Sequence, residues 1–239
     1  MTAFPMQNMV TRKLENGARL DQRDRERLAE LVRGWRALPP RSDIISHGDD
    51  PEFVHVILEG IACRYKILPD GRRSIMALLI PGDFCDMHVA ILGRMDHGIG
   101  TLTPCRVVDI PRSEIEELLT DYPNIARAMW WATLVDEAVL REWLVNMGKR
   151  RADRQMAHLL CELYLRYASI GWNGDFSLPM TQEQLSDTLG ITAVHAQRVV
   201  AGLRQDGLIG IEERQITIPD IARLMEFAEF DPDYLHLPS

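Results

Sequence analysis

Several hydrogen-bonding side chains cluster near the C-terminus, in the stretch TQEQLSDTLGITAVHAQRVVAGLRQDGL that spans residues 181–208. On a helix that begins just after Gly190, the solvent-facing positions are expected to be Val194, His195, Gln197 and Arg198. An arginine at such a position can donate two hydrogen bonds to O6 and N7 of guanine, and a valine can contact the methyl group of thymine. These residue types on one helix face therefore favour recognition of base edges in a DNA groove.

The spacing of caps and apolar residues predicts the two helices that would hold this face. Thr181 can cap the first helix, and Gln184 stands at the position that completes a capping box. Gly190 suits the sharp turn between the helices, and Thr192 can cap the second one. The predicted core positions are apolar and fall at helical spacing: Leu185, Leu189, Val199, Leu203 and Leu208. After them GLIGIEERQITIP alternates like a two-stranded hairpin, so the segment is predicted to be a winged helix-turn-helix.

An αα-hairpin of a purely helical domain is the alternative, and the double caps, the turn glycine and the following hairpin all count against it. Phosphate contacts are expected at helix N-termini, where hydroxyls, amides and backbone N–H groups hold anions. The residues at those places are Thr181, Gln182 and Thr192. His195 fits a base contact and a phosphate contact equally well.

The residues before the helix-turn-helix predict a separate β-rich domain. Residues 41–111 consist of short runs rich in Val, Ile and Leu between turn signals, which is typical of an all-β sandwich or jelly roll. LPDGRR within it predicts a hairpin turn. Residues 10–38 resemble a charged helical lead-in that ends at Pro39-Pro40, and PRSEIEELLTDYP predicts a short helix.

A long helix is predicted from about residue 124 to 147, with an apolar seam at alternating three- and four-residue steps. The seam consists of Ile125, Ala128, Ala132, Val135 and Val139. Further apolar residues lie off it, so one side can meet the β-domain and the other a second subunit: Met129, Trp130, Trp131, Leu134 and Leu140. We therefore expect a dimer helix, with an ordinary core helix as the alternative. Gly148 is a hinge or a plain helix break, which divides the chain into residues 1–122, 123–148 and 149–239.

Charge and composition bound the class of protein. The net charge of −8 gives no support to a nucleic-acid partner, but residues 148–210 carry seven Lys or Arg against six Asp or Glu, which permits a local basic face. The start MTAFPMQNMVTRKLENG lacks the pattern of a signal peptide, and no apolar run approaches the roughly 20 residues of a membrane span. Cys63, Cys85, Cys105 and Cys161 form no CxxC pair, which favours reduced thiols in a cytoplasmic protein without a membrane partner.

LPMTQEQLSDTLGITAVHAQRVVAGLRQDGLI resembles the winged helix-turn-helix of the Crp/Fnr family of bacterial transcription regulators. GDDPEFVHVILEGIACRYKILPDGRRSIMALLIPGDF is similar to that family's sensor domain, with Gly48, Gly60 and the turn from Pro81 to Phe84 in the expected order. The resemblance covers about residues 25–220. It implies an α+β fold with an N-terminal β-roll or jelly-roll sensor domain, a long dimerisation helix and a C-terminal winged helix-turn-helix domain. It also implies a homodimer on a palindromic operator, with RNA polymerase as a partner.

The recognition helix departs from the family pattern. Members of the family usually present an Arg-Glu pair near its start and a second Arg one turn later. Here Arg198 matches the later Arg, while Ala193 and Val194 replace the pair. The resemblance therefore implies a half-site different from that of members that keep the Glu.

The sensor segment PGDFCDMHVAILGRMDHGIGTLTPC departs further. Members that bind cyclic AMP place a Glu on the ribose and an Arg on the cyclic phosphate, whereas this chain has Asp86-Met87 and then Met95-Asp96-His97. A methionine cannot pair with phosphate and Asp96 would repel one, so we expect an effector other than cyclic AMP, or none. The candidate effector pocket comprises Gly82, Asp83, Met87, His88, Met95, Asp96 and His97.

The differences from the cyclic AMP-binding members do not show which cofactor, if any, the sensor domain binds. An iron–sulfur cluster like that of the oxygen-sensing members is excluded, because no cysteine precedes Cys63. Haem needs axial ligands in the β-domain, for which the candidates by residue type are Cys85, His88, His97 and Cys105. Haem is not favoured, because free cysteines are usually buried and lone histidines are more often structural.

An enzyme is the competing class, because cupin jelly rolls bind catalytic metals. GDDPEFVHVILEGI offers His55 and Glu59, but Ile57 stands where a second His would be needed. The sequence shows neither a nucleophile–base constellation nor a phosphate-binding glycine loop. We therefore predict no catalytic residues, no metal site and no enzymatic activity.

Overall fold

The computed structural model describes residues 8–172, 176–213 and 215–238 and has the predicted α+β architecture. The N-terminal part contains α1 (Asn8–Glu15), α2 (Gln22–Leu31), β1 (Trp35–Leu38), β2 (Asp43–Ile45), β3 (Phe53–Glu59), β4 (Ala62–Ile67), β5 (Arg73–Leu79), α3 (Val89–Leu92), β6 (Gly98–Thr101), β7 (Cys105–Pro111) and α4 (Arg112–Asp121). The C-terminal part contains α5 (Pro123–Lys149), α6 (Ala152–Ser169), β8 (Ser177–Leu178), α7 (Gln182–Leu189), α8 (Ala193–Gln205), β9 (Gly210–Glu212), β10 (Gln215–Thr217), α9 (Ile221–Ala228) and a 3₁₀ turn at Pro232–Leu235. Among the residues so described, every helix is too short or too polar to cross a bilayer.

Two antiparallel sheets form the roll, with strand orders β1-β7-β3 and β2-β6-β4-β5. The predicted turn in LPDGRR joins β4 to β5: the amide of Leu68 donates to the carbonyl of Arg72, and Gly71 takes a positive φ of 83°. The prediction of a helical lead-in that extends to residue 38 is wrong at its end. Residues 35–38 form β1, whose hydrogen bonds come from β7 about 70 residues away, where Trp35 pairs with Val108. The pairing of β1 with β7 cannot be read from the residue pattern of residues 35–38.

The long helix α5 has two different apolar faces. The residues at the start of the predicted seam, Ile125, Ala128 and Ala132, are buried within the protomer, and Val139 packs on the same side. The seam therefore belongs to the core of this chain and is the side of α5 that faces the protomer. Trp130, Leu134 and Val145 stay exposed on the other side of the helix, and the exposed Leu140, Leu144 and Met147 lie between that side and the buried one.

The junction between α5 and α6 lies later than the predicted break. Gly148 is helical and α5 ends at Lys149, after which Arg150 and Arg151 have extended backbone. Beyond the hairpin, α9 and the 3₁₀ turn, for which the sequence pattern gave no element, return to the core, where Leu224 and Leu235 are buried.

A buried network of charges joins the roll to α6. The carboxylate of Asp83, 2% exposed, accepts hydrogen bonds from Lys13 of α1, from Arg166 of α6 at 2.7 Å and from the amide of Ile80 at 2.8 Å. Arg166 also donates to the carbonyl of Leu78 at 2.9 Å and to Glu162 at 3.2 Å. One carboxylate therefore holds elements that lie more than 80 residues apart.

We expect Asp83→Asn to lower the free energy of unfolding by about 3–5 kcal/mol at pH 7, because the change removes the buried negative charge that Lys13 and Arg166 share and leaves Arg166 with Glu162 alone. Burial by itself raises the pKa of Asp83, but Lys13 and Arg166 outweigh it and hold that pKa below its usual value. A carboxyl whose pKa is lower in the folded state stabilises the fold above the ordinary aspartate pKa, about 4, and loses this effect below it. Urea titrations at several pH values test this: the difference between the two proteins should shrink below about pH 4.

The control for this variant is Glu15→Gln, which removes a half-exposed ion pair with Arg25. A pair of that kind contributes at most about 1 kcal/mol. Equal losses of stability in the two variants would contradict the central place given to Asp83.

Candidate nucleic-acid interface and sensor site

The caps of the helix-turn-helix are those predicted from the sequence. The hydroxyl of Thr181 accepts a hydrogen bond from the amide of Gln184 at 3.2 Å, and the side chain of Gln184 accepts one from the amide of Thr181 at 2.8 Å. Gly190 ends α7 in the left-handed region with φ 66°, where a residue without Cβ is favoured. Thr192 then accepts from the amide of His195 at 3.2 Å and begins α8.

The two sides of the motif separate as predicted. The side chains on the inner side are buried: Leu185, Leu189, Val199, Leu203 and Leu208. Val194 is 58% exposed, and His195, Gln197 and Arg198 are exposed beside it on the first turns of α8. Thr181, Gln182 and Thr192 are exposed at the two helix N-termini. The structure thus brings all seven predicted contact residues onto accessible parts of α7 and α8.

The hairpin after α8 is also present. Strands β9 and β10 pair antiparallel, with Ile216 opposite Ile211, and β8 adds a third strand on the other side of β10. The predicted wing is thereby confirmed as part of a three-stranded sheet.

The helix-turn-helix is fastened to the roll of the same protomer. Arg73 of β5 lies 2.9 Å from Asp187 of α7, and the side-chain amide of Gln184 donates to the carbonyl of Leu102 at 3.1 Å. One apolar core runs through both parts, so that Ile61 and Leu78 of the roll belong to the same cluster as Leu185 of α7. The position of the motif therefore depends on the position of β5.

The seven residues of the predicted effector pocket are not all brought together. Asp83 points into the network with Lys13 and Arg166, and Gly82 packs against the backbone of Met9. Met95 is 2% exposed in the core of the roll, and Met87 is half-buried against a different core cluster. The three remaining residues, His88, Asp96 and His97, form one cluster.

This cluster has the donor atoms of a coordination site. One ring nitrogen of each histidine and one carboxylate oxygen of Asp96 lie within 4.8 Å of one another, and the ring centroids of the histidines are 5.4 Å apart. Asp96 Oδ1 lies 2.6 Å from Nδ1 of His97. Burial lowers the pKa of both histidines, and the neighbouring positive charges, Arg64 among them, lower it further. Asp96 opposes this shift at His97, but the net effect lowers the pKa of both rings and so favours their neutral form.

Arg64 connects this loop to the long helix, a role that sequence reasoning missed. Its guanidinium donates to the carbonyl of Cys85 at 2.9 Å, to that of Phe84 at 3.1 Å and to the carboxylate of Asp136 on α5 at 3.0 Å. No local motif could have found it, because two of its three acceptors are backbone carbonyls whose position depends on the fold.

The residues considered for haem and for a cupin metal have other surroundings. Cys85 and Cys105 are buried, and burial raises the pKa of both thiols, that of Cys105 to about 11, which disfavours the thiolate that ligates a metal. Nδ1 of His55 lies 2.6 Å from the buried carboxylate of Asp86. Glu59 is exposed and pairs with Arg106, so His55 and Glu59 do not converge on one site.

Comparison with known proteins gives matches to both parts of the chain. Residues 35–122 match the model of the cyclic nucleotide-binding domain, and residues 154–227 match that of the Crp-like helix-turn-helix domain. The sheets of the roll and the capped helices α7 and α8 lie within these two ranges.

Two relatives and one solved structure match most of the chain. The chain is 32% identical over 220 residues to the transcriptional activator protein FnrL of Cereibacter sphaeroides, with 88% of this chain and 87% of that protein covered. It is 30% identical over 189 residues to the nitrogen fixation regulation protein FixK of Bradyrhizobium diazoefficiens, with coverages of 77% and 78%. The structure of FixK2 from Bradyrhizobium japonicum superposes with a TM-score of 0.73 at 25% identity, over 82% of this chain and 97% of that one.

These matches are transcription regulators and give no support to the cupin-like enzyme considered as the alternative. The capped helix-turn-helix, the β-roll and the likeness along most of both chains agree with one another. The chain belongs to the Crp/Fnr family of DNA-binding transcription regulators, which are not enzymes.

Proposed function

We propose that the chain acts in the cytoplasm as a homodimer that binds a palindromic operator and responds to an effector other than cyclic AMP. The observation that carries the proposal is the accessible face on the first turns of α8, where Val194, His195, Gln197 and Arg198 stand together beyond a capped turn. A helix with this exposure and these side chains suits insertion into the major groove with its N-terminal end first.

The residues of this face divide by the contact that each suits. Arg198 suits guanine, since its guanidinium can donate to O6 and N7 together, and Val194 suits a thymine methyl. Phosphate contacts suit the residues at the helix N-termini, Thr181, Gln182 and Thr192. His195 and Gln197 suit either a base or a phosphate contact. Ala193 has no polar atom beyond its backbone, so the operator should differ from those read by an Arg-Glu pair at this place.

A second copy of the chain is the proposed occupant of the exposed face of α5. Trp130 is 63% exposed and Leu144 is 74% exposed, on a helix that already buries its opposite face within the protomer. Water-exposed apolar surface of this extent on one helix indicates a protein partner. A two-fold dimer places two recognition helices about one turn of DNA apart, as a palindrome requires.

Signal transfer is proposed to run through contacts that hold the helix-turn-helix to the roll. Arg64 joins the sensor loop to α5, Arg166 joins the turn at Asp83 to α6, and Arg73 joins β5 to α7. An effector that binds one arrangement of these parts better than another shifts the population toward it. RNA polymerase is the proposed protein partner on DNA, in keeping with the relative that is named an activator.

We expect Arg198→Ala to weaken binding to the preferred operator by about 1–3 kcal/mol and to relax selectivity at one guanine in each half-site. The operator is first obtained by selection from random duplexes, and affinity is then measured by fluorescence anisotropy at fixed salt. Arg204→Ala is the matched control, because Arg204 is exposed on the same helix but on a different side. Equal losses in the two variants, or unchanged selectivity in Arg198→Ala, would remove the base contact from the proposal.

Leu144→Asp is expected to convert the dimer into a monomer, because it places a charge in the middle of the apolar face. The measurement is molar mass by light scattering during gel filtration, with circular dichroism to confirm that the variant is folded. Ile67→Asp serves as the control, since Ile67 is 58% exposed but lies on β4, away from α5. A dimer that survives Leu144→Asp would place the subunit contact elsewhere.

Cyclic AMP is expected to leave operator affinity unchanged. Met87 and Met95 offer no group that pairs with phosphate, and the exposed carboxylate of Asp96 repels one. Anisotropy titrations with and without millimolar cyclic AMP test this directly. A clear rise in affinity would contradict the proposed exclusion of this nucleotide.

A further inference from the structure

Two buried ring nitrogens in the sensor domain have no use in the contacts described so far. Within the described part of the chain, neither Nε2 of His88 nor Nε2 of His97 has a hydrogen-bond partner. His97 is only 8% exposed, so its free nitrogen is turned away from bulk water. An unsatisfied polar atom of this kind costs free energy unless something else binds it.

The hydrogen bond of Asp96 fixes which nitrogen of His97 is free. A carboxylate only accepts hydrogen bonds, so Nδ1 of His97, 2.6 Å from Asp96 Oδ1, carries the proton. Nε2 then holds a lone pair. A carboxylate that orients an imidazole in this way, with the second nitrogen left open, is the usual arrangement behind a metal-bound histidine.

We propose that His88, Asp96 and His97 form a binding site for a divalent transition-metal ion of the zinc class. His88 and His97 are the nitrogen ligands, and Asp96 orients His97 and supplies the nearest negative charge. Imidazole nitrogens with a nearby carboxylate suit Zn²⁺, Co²⁺ and Ni²⁺ better than Mg²⁺ or Ca²⁺, which prefer oxygen ligands. Water or a small ligand completes the coordination.

Binding of the ion would bring the ligand nitrogens of His88 and His97 closer together. Two nitrogens on one tetrahedral Zn²⁺ lie about 3.3 Å apart, given Zn–N bonds of about 2.0–2.1 Å. One ring nitrogen of each histidine lies within 4.8 Å of the other, and the ring centroids are 5.4 Å apart, so the side chains must move to bring the two Nε2 atoms onto one ion. His88 comes just before α3 and His97 just before β6. The ion would therefore tie the start of α3 to the sheet.

The charges around the cluster are compatible with a cation. Arg64 acts on both histidines and Lys66 on His97, while the carboxylates of Asp86 and Asp96 supply negative charge beside them. The guanidinium of Arg64 is itself paired with Asp136 and donates to the backbone carbonyls of residues 84 and 85. Arg64 also connects the site to α5. It donates to the carbonyl of Cys85, three residues before His88, and to the carboxylate of Asp136 on α5. This inference rests on the proposed function, because it names the effector of that regulator.

The test uses the full chain, treated with a chelator and then freed of it. Zn²⁺ is titrated by calorimetry, and Co²⁺ by its visible ligand-field bands, which report nitrogen ligation. We expect one ion per chain in the unaltered protein and no measurable binding in His88→Gln or His97→Gln. Asp96→Asn should weaken binding about 10- to 100-fold, the usual effect of removing an orienting partner. His47→Gln is the matched control, an exposed histidine of the same domain.

Three outcomes would overturn the site. The first is that the folded protein binds no ion. The second is that His97→Gln binds the ion as well as the unaltered protein does. The third is a haem absorption band that His97→Gln abolishes. For the effector role, Zn²⁺ should change operator affinity at least about fivefold in the unaltered protein and not in His97→Gln. An ion that binds with no such change overturns the effector role. Failure to bind any operator would refute the proposed function instead, and the stoichiometry of the ion would still decide the site.

Discussion

The buried carboxylate of Asp83 is the interaction on which the arrangement of the two halves depends. It sits in a turn of the roll, yet its partners belong to α1 and to α6, the first helix after the long one. A charge in such a place is tolerated only when it is paired and hydrogen-bonded. Arg166 carries the network on to Glu162, which also accepts hydrogen bonds from Trp143 and Tyr234. The sensor turn, the long helix and the C-terminal tail thus share one set of partners.

The long helix α5 has one face that packs in the core of the protomer and another that is apolar but exposed. One face must fit the core of the protomer, where Ile125 and Ala128 have no exposed surface. The other face stays apolar although it meets water in the single chain, with Leu144 the most exposed of its residues. A helix that is apolar all round is stable in water only when both faces are covered. This explains why a seam that resembled a coiled coil in the sequence turned out to be core.

The two functional regions have diverged in different ways from the pattern of their family. In the helix-turn-helix the geometry is kept, with its capping box and left-handed glycine, while Ala193 and Val194 change what the helix can recognise. In the sensor loop His88, Asp96 and His97 lie together, and we propose that they hold a metal ion rather than a nucleotide. Arg64 keeps a physical connection between that loop and α5. The helix-turn-helix therefore has the form expected of the family, and the proposed difference lies in the signal that the sensor loop detects.

Residue patterns alone predicted the motifs whose hydrogen bonds join residues close together in the chain. Thr181 and Gln184 cap α7, Gly190 turns the chain, and the turn around Gly71 joins β4 to β5, because each of these motifs is encoded by neighbours. Only the tertiary structure decided that residues 35–38 are a strand, that Asp83 meets Arg166 and that His88 faces His97. Each of these depends on sheet register and on packing between distant segments, and a local pattern of residue types contains neither.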